Sequence, residues 1–279
     1  MPISKAIPKV TPALLYTPTS SGGFNAATYG TVLFWLDGSD NTVVLNSGGT
    51  PCTDGTKVDK WTDKGSGNMN ARQTTDANRP VYETAQQNSL SVVQYTNTSD
   101  QYFTFENGTG VAQNKAAVTL VMVMNPTLQE QYQMLLYVQD NGGADRISTY
   151  LTNQGGGNYK LQADINRTDG GPSYGLYDAG DLAYGAWDIV IWEIDYANGT
   201  WAIYNRNSTV RVSSTTQFGG TGSTSNTAAA IQPQLGQYSG GTKFNGQMGE
   251  AILYNGTLSA PTRSSLKTAL GTKWGITVS

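Results

Sequence analysis

Short apolar runs separated by clusters of turn residues are the feature that most constrains the fold of this chain. The runs at 31–36, 90–95 and 118–124 are rich in Val, Leu and aromatic residues, and Gly, Asn and Asp cluster between such runs, as at 140–143. Aromatic and β-branched residues fit the pleated backbone of a strand, whereas Gly, Asn and Asp adopt the conformations that turns require. Short strands at this spacing predict an all-β fold in which two antiparallel sheets pack together.

The segment 187–204 carries the clearest hairpin signal. Asn198 and Gly199 favour a tight turn, because a type I′ turn needs positive φ at both central positions. The alternation of the strand before this turn is predicted to place Ile189, Ile191 and Glu193 on one face and Val190, Trp192, Ile194 and Tyr196 on the other. A second strand pair is predicted for 234–238 and 249–254.

One short helix is predicted near the C-terminus, over 260–273. Ser259 precedes it, and a serine hydroxyl can accept a hydrogen bond from an unpaired backbone N–H of the first helical turn. Leu266, Leu270 and Trp274 fall four residues apart, so they form one apolar stripe that should face the sheets. Gly275 follows as a terminator.

The first 28 residues differ from the rest of the chain. They are rich in Pro, Ser, Thr and Gly, which predicts an extended arm (1–28) ahead of one domain (29–279). The sequence leaves open whether this arm is a floppy terminus or becomes ordered on a partner. If it docks, Leu14, Leu15 and Tyr16 are the predicted anchors, because they supply apolar side chains that a solvated tail would not need.

Composition excludes several classes of function. The net charge is −3 without a cluster of Lys or Arg, so nucleic-acid binding is not expected. No apolar run reaches the ~20 residues of a membrane-spanning helix, and prolines interrupt the N-terminal stretch, so neither a membrane anchor nor an export signal is predicted. The chain has no histidine and a single cysteine, Cys52, which excludes histidine-based nucleophilic catalysis and the usual zinc sites.

Three parts of the sequence carry a resemblance to a known family. They are 34–40 with 58–68, then 91–95 with 100–103, and finally 244–254 with the capped helix and its closing 273–276. Together they resemble the concanavalin A-like lectin/glucanase (laminin-G-like) domains of bacterial surface proteins and phage virion proteins, over roughly residues 31–276. The resemblance implies an antiparallel two-sheet jelly-roll sandwich with one short C-terminal helix, in which Trp35, Trp61 and Phe103 would fill the core.

Two groups of acidic residues need an interpretation. The pairs Asp37 with Asp40 and Asp59 with Asp63 could hold turns through their side chains or could bind Ca²⁺, which takes carboxylate and carbonyl oxygens. The turn role is favoured, so no metal or other cofactor is predicted.

A second group of acidic residues could indicate glycoside hydrolysis, because the superfamily of concanavalin A-like domains that the sequence resembles includes glycoside hydrolases. Glu193 and Asp195 match the first two carboxylates of the laminarinase-like pattern, but Ala197 or Asn198 stands where the acid/base Glu would be. We therefore expect no catalytic residues, and other, distant pairs of carboxylates are left open.

Three functions remain after these exclusions. The first is a non-catalytic virion structural protein, a capsid decoration or fibre component of a phage, with glycan binding as an additional role. The alternative is a free-standing carbohydrate-binding module, and the third is an uncharacterised glycoside hydrolase. The first implies a capsid or other virion protein as partner, assembly in the host cytoplasm and location in the virion, whereas the alternative implies an extracellular location. A homo-oligomer is also compatible with the arm.

The segment 166–181 is the best candidate for a glycan-binding loop. Sugars are recognised by aromatic faces beside hydrogen-bonding Asp and Asn side chains. The predicted ligand-binding residues of this segment are Asp169, Tyr174, Tyr177, Asp178 and Asp181.

Overall fold

The computed structural model is built from two antiparallel β-sheets and one α-helix. It describes residues 23–128, 132–139, 145–165, 174–177, 182–207, 212–214, 222–225, 232–238 and 241–279. The arm segment 1–22, with Leu14, Leu15 and Tyr16, lies outside the described residues. Within the described part of the chain, no helix is long and apolar enough to cross a membrane.

The first sheet carries the helix on its outer face. Its strands are β1 (Val32–Asp37), β3 (Thr56–Lys57), β6 (Val81–Gln87), β7 (Leu90–Tyr95), β9 (Ala117–Pro126), β15 (Asp188–Asp195), β16 (Thr200–Tyr204), β17 (Val212–Ser214) and β21 (Gly246–Asn255). Their spatial order is β17-β16-β15-β9-β21-β7-β6-β3, and β1 pairs with the later residues of β21.

The second sheet faces the first across the core. Its strands are β2 (Val44–Leu45), β4 (Lys60–Trp61), β5 (Ala71–Arg72), β8 (Phe103–Phe105), β10 (Tyr132–Gln139), β11 (Asp145–Gly155), β12 (Asn158–Ile165), β13 (Tyr174–Tyr177), β14 (Leu182–Ala183) and β18 (Gln234–Leu235). The order is β13-β12-β11-β10-β18-β8-β5-β4-β2, with β14 beside β12. A separate small hairpin joins β19 (Gln237–Tyr238) to β20 (Thr242–Lys243). The all-β sandwich predicted from the sequence is confirmed.

The predicted hairpin and its two faces are present. β15 pairs with β16 through Asp195 and Thr200, so the turn consists of the four residues 196–199. Gly199 has positive φ but Asn198 does not, so the predicted two-residue type I′ turn is wrong although the hairpin forms. Val190, Trp192, Ile194 and Tyr196 pack between the two sheets, whereas Ile189 and Ile191 pack on the helix side. The second predicted strand pair is wrong. Gln234 and Leu235 pair with β10 and β8, and β21 pairs with β1, β7 and β9, because the long apolar β21 is buried in the middle of the first sheet.

The helix α1 (Ala260–Trp274) forms as its sequence predicts. The Ser259 hydroxyl accepts a hydrogen bond from the Thr262 amide at 3.3 Å, and Gly275 closes the helix in the left-handed conformation at φ 64°. Leu266, Leu270 and Trp274 are fully buried against the first sheet. This stripe forms a second apolar layer beside the core between the sheets.

The three aromatic residues expected in the core divide between those two layers. Trp61 and Phe103 lie between the sheets with ring centroids 6.3 Å apart. Trp35 is buried as expected, but it lies on the opposite face of the first sheet, in the apolar layer that the helix covers. The Phe24 ring packs edge-on against Trp35 at 5.7 Å, and the short 3-10 turn Ala26–Thr28 is held by the Tyr254 hydroxyl, which donates to the Ala26 carbonyl at 3.1 Å.

Candidate functional site

The outer face of the second sheet carries a group of tyrosines from three separate segments. Strand register places Met134 beside Tyr150, and Tyr150 beside Gln162, on neighbouring strands. Side chains of directly paired residues project from the same side of a sheet. Because Leu135, Leu151 and Leu161 fill the core on the inner side, these residues project outward. We call this surface the tyrosine face, and it comprises Tyr132, Met134, Tyr137, Tyr150, Thr152, Gln162, Asp164, Tyr238 and Thr242.

Tyr132 is the most accessible aromatic side chain of this surface. It is 46% exposed, and its ring meets that of Tyr150 edge-on with centroids 5.6 Å apart. Tyr137 and Tyr238 form a second ring pair with centroids 4.3 Å apart. An exposed large apolar surface is more informative than a buried one, because folding alone does not require it. The tyrosine face therefore presents one open ring supported by a buried one.

A hydrogen-bond network fixes the polar side chains between these rings. The Tyr150 hydroxyl donates to Asp164 Oδ2 at 2.6 Å and accepts from Gln162 Nε2. Gln162 is oriented in turn by the Thr152 hydroxyl, which donates to its Oε1 at 3.0 Å. Gln162 Nε2 also lies 3.3 Å from Asp164 Oδ1. An ionised carboxylate has about four acceptor positions, so the half-buried Asp164 retains capacity for further donors.

These groups line a shallow cleft of about 160 Å³. The described lining residues are Tyr132, Met134, Tyr150, Asp164, Tyr238 and Thr242. The cleft thus combines aromatic rings, a hydroxyl and one carboxylate within a few ångströms. Aromatic and polar groups converging in this way are typical of small-ligand sites.

The glycan-binding segment predicted from the sequence borders this surface. Its strand β13 pairs with β12, with Tyr174 opposite Ile165 and Tyr177 opposite Gln162. Asp169, Asp178 and Asp181 lie outside the described residues, as do the side chains of Tyr174 and Tyr177. Sequence reasoning did not single out Tyr132, Tyr150 or Tyr238. The signal that could have found Tyr132 is the alternation of strand 132–138, which places it on the same side as Met134.

The two acidic pairs have structural roles. Asp63 accepts backbone hydrogen bonds from Trp35, Gly65 and Met69 at 2.7–2.9 Å, and Asp40 accepts from the Thr42 amide at 3.1 Å. The turn interpretation is confirmed for these two residues.

Asp40 also pairs with Lys64 at 2.9 Å, and the other member of each pair makes ion pairs too. Asp59 lies 2.6 Å from an Arg79 guanidinium nitrogen, so its interpretation as a turn residue is wrong. Asp37 accepts from the Ser39 amide at 3.0 Å, which confirms its turn role as well, and it also pairs with Lys64 and Lys273. Among the described residues, no three acidic, Cys or His side chains are grouped so as to hold a metal ion.

Glu193 and Asp195 do not form a shared acidic groove. Glu193 is 7% exposed beneath the helix, where Arg263 pairs with its Oε2 at 2.8 Å and the Leu258 amide donates to its Oε1 at 3.0 Å. Asp195 instead accepts from the Asn198 amide at 2.9 Å and holds the hairpin turn. Both carboxylates are engaged in stabilising local structure.

A larger cleft, of about 480 Å³, lies beside the C-terminal end of the helix. The Trp187 ring at its wall stacks on Trp274 with centroids 5.8 Å apart. Arg206 and Asn207 form another part of its lining. Since Arg206 donates to the Trp187 carbonyl, the guanidinium helps to hold the Trp187 backbone in place.

Comparisons with known proteins show what fold the chain shares. No protein-family model and no curated protein sequence matches it. It is similar to the structure of an arabinofuranosidase complexed with arabinofuranosyl-α-1,2-xylobiose, with a TM-score of 0.57 and 15% identity over 88% of this chain and 60% of that one. A Trypanosoma rangeli sialidase gives a TM-score of 0.50 and 14% identity over 94% of this chain and 36% of that one.

A third similar structure is the carbohydrate-binding module CBM40 of the Ruminococcus gnavus IT-sialidase. It has a TM-score of 0.47 and 18% identity over 66% of this chain and 98% of that one. At such identities the likeness to the two enzymes shows a common β-sandwich fold and nothing about ligand or activity. The shared fold is consistent with the concanavalin A-like sandwich that the sequence resemblance implies.

Proposed function

We propose that this protein is a non-catalytic carbohydrate-binding domain that holds a saccharide against the tyrosine face. The observation that carries the proposal is the open Tyr132 ring, packed on Tyr150, whose hydroxyl is hydrogen-bonded to Asp164. The C–H side of a sugar ring stacks on aromatic faces, and its hydroxyls donate to carboxylates. Both kinds of partner meet in this cleft.

Preorganisation supports binding at this surface. Tyr150 is 9% exposed and Gln162 is 3% exposed, so both are fixed by packing before any ligand arrives. A ligand that meets side chains already held in place loses less free energy to ordering them. The ring of Tyr132, which is 46% exposed, would become ordered on binding.

The arrangement of carboxylates supports binding over hydrolysis. Glycoside hydrolysis uses two carboxyl groups that flank the scissile bond, about 5–10 Å apart. Among the described residues that line the cleft, Asp164 is the one carboxylate. Glu193, the acid that the hydrolase interpretation would need, is held by Arg263 on the helix side of the other sheet.

We further propose a biological setting for this domain: it serves in a phage virion, as a capsid decoration or fibre component assembled in the host cytoplasm. The sequence resemblance over 31–276 and the arm ahead of the domain support it. Binding to a surface glycan is compatible with that role. A mass-spectrometric inventory of purified virions should contain the protein, and its absence there would favour the free-standing, extracellular carbohydrate-binding module.

The test of glycan binding is a titration series with matched aromatic variants. Purified protein is screened on an array of oligosaccharides, and each hit is titrated calorimetrically. Tyr132→Ala should weaken binding about tenfold or more, because it removes the open stacking ring. Tyr29→Ala removes a half-buried tyrosine on the helix side of the molecule and should leave the affinity unchanged. Equal affinities for wild type and Tyr132→Ala would refute this site.

A further inference from the structure

We infer that the tyrosine face selects saccharides without negative charge, and that Asp164 sets this selection. The inference rests on the proposed glycan binding and adds the chemical class of the ligand. The described lining of the cleft contains one charged side chain, Asp164, beside the neutral Tyr132, Met134, Tyr150, Tyr238 and Thr242. A sugar carboxylate placed here would therefore meet an anion and no described cation.

None of the described hydrogen-bond donors to Asp164 carries a positive charge. Its described hydrogen-bond donors are the hydroxyl of Tyr150 and the amide of Gln162, and both are neutral. These donors hold the carboxylate in one orientation without cancelling its charge. Asp164 thus acts as a fixed acceptor for sugar hydroxyls, and equally as a fixed negative charge.

Two described lysines, one on the small hairpin and one on β12, are not hydrogen-bond partners of the Asp164 carboxylate. Lys243, which follows Thr242, lies 2.5 Å from the Asp100 carboxylate and is paired there. Lys160 lies on β12 opposite Thr152, four residues before Asp164. Four residues of a strand span about 13 Å between Cα atoms, and Lys160 is not among the described hydrogen-bond partners of Asp164.

Three classes of saccharide should therefore differ in their affinity for this cleft. Neutral sugars can stack on Tyr132 and donate hydroxyls to Asp164. Amino sugars can do the same and place an ammonium near the carboxylate. Uronic and sialic acids bring a second negative charge close to Asp164, and like charges a few ångströms apart in a partly exposed site should weaken binding on the order of tenfold or more.

The experiment compares saccharides that differ mainly in charge. Lactose is matched with sialyllactose, and galactose oligomers are matched with galacturonic acid oligomers. Each is titrated into the full-length protein by calorimetry at low and at physiological salt. In any pair that binds, the neutral member should bind at least tenfold tighter than the anionic member. Added salt should reduce this difference in affinity, because it screens the repulsion between the ligand and Asp164.

Two variants then distinguish this inference from the function on which it rests. Asp164→Asn keeps the side-chain shape but removes the charge. It should reduce the ratio of the affinity for the neutral saccharide to the affinity for the anionic saccharide several-fold. An anionic member that binds as tightly as its neutral match, in a manner lost in Tyr132→Ala, would overturn the selectivity and leave the glycan site standing. If every pair fails to bind, or if Tyr132→Ala has no effect on binding, the proposed function fails and this inference fails with it.

Discussion

The ammonium of Lys273 lies 2.9 Å from the carboxylate of Asp37, although 236 positions separate the two residues in the chain. The same ammonium is 3.0 Å from Glu250, and all three side chains are at most 2% exposed. Burial would raise the pKa of Asp37, but Lys273 and Lys64 outweigh it and lower the pKa. Burial, with Asp37 nearby, raises the pKa of Glu250 despite Lys273. The cluster joins the end of the helix to β1 and β21.

Removal of the buried ammonium should destabilise the fold severely. Lys273→Met leaves the Asp37 and Glu250 carboxylates buried without their shared cation, which should lower the free energy of unfolding by about 3–5 kcal/mol. Lys57→Met is the control, because the Lys57–Asp76 pair is 46% and 69% exposed and such surface pairs contribute about 1 kcal/mol or less. Urea unfolding of both variants measures the difference. Similar losses in the two would contradict a special role for the cluster.

Asp188 should make stability depend on pH in a predictable direction. Burial raises its pKa above the ordinary value of 3.8, although the Arg206 amide and guanidinium partly oppose this shift. A raised folded-state pKa contributes stability at low pH, and that contribution is lost as pH rises through the folded-state value. Asp188→Asn should therefore gain stability relative to wild type as pH rises from about 4, by at most ~1.4 kcal/mol per pH unit. Urea unfolding between pH 3.5 and 7 tests this, and a difference that shrinks with pH would contradict it.

The apolar stripe of the helix should carry much of its attachment to the first sheet. Leu270 is completely buried, so Leu270→Ala should reduce the free energy of unfolding by about 2–5 kcal/mol through lost packing and the resulting cavity. Ser265→Ala changes an exposed position of the same helix and should stay within about 0.5 kcal/mol of wild type. Thermal and urea unfolding compare the two variants. An unchanged stability of Leu270→Ala would show that the helix does not pack as described.

Glu193 should affect stability and not catalysis. Glu193→Gln removes the charge that pairs with Arg263 at 2.8 Å and should destabilise the fold by roughly 1–3 kcal/mol, because Arg263 would then lose its counter-charge beside the helix. No hydrolysis of β-glucans that depends on Glu193 is expected. The assay incubates wild type and variant with a panel of polysaccharides and measures reducing ends. Turnover by wild type that vanishes in the variant would show that the acidic segment is catalytic.

The arm supports a prediction about assembly. Leu14, Leu15 and Tyr16 are the predicted anchors to a capsid protein or to another copy of this chain. A deletion of residues 1–22 stops short of Phe24, which packs on Trp35, so the domain should still fold. Light scattering and co-sedimentation with particles compare the deletion with the full chain. The truncated protein should assemble or incorporate less well; equal behaviour would assign the arm to a linker or a free end.

The sequence by itself determined the elements whose causes are local. The hairpin of β15 and β16, the faces of β15, the Ser259 cap and the stripe of Leu266, Leu270 and Trp274 all follow from short-range spacing. Turn geometry, capping and alternation act within about a dozen neighbouring residues, so contiguous sequence contains the information they require. The two-sheet architecture followed because many such signals agreed.

Only the tertiary structure decided which distant segments meet. It paired Gln234 and Leu235 with β8 and β10, placed Trp35 on the helix side, and brought Tyr132, Tyr150 and Tyr238 onto one surface. Nothing in a strand's own pattern names its neighbour, because the partner is chosen by burial and by packing across the whole sheet. Ion pairs between distant residues are likewise decided by the tertiary structure. Asp37 has the sequence of a turn residue, and its ion pair with Lys273 exists only because the helix end folds back over β1.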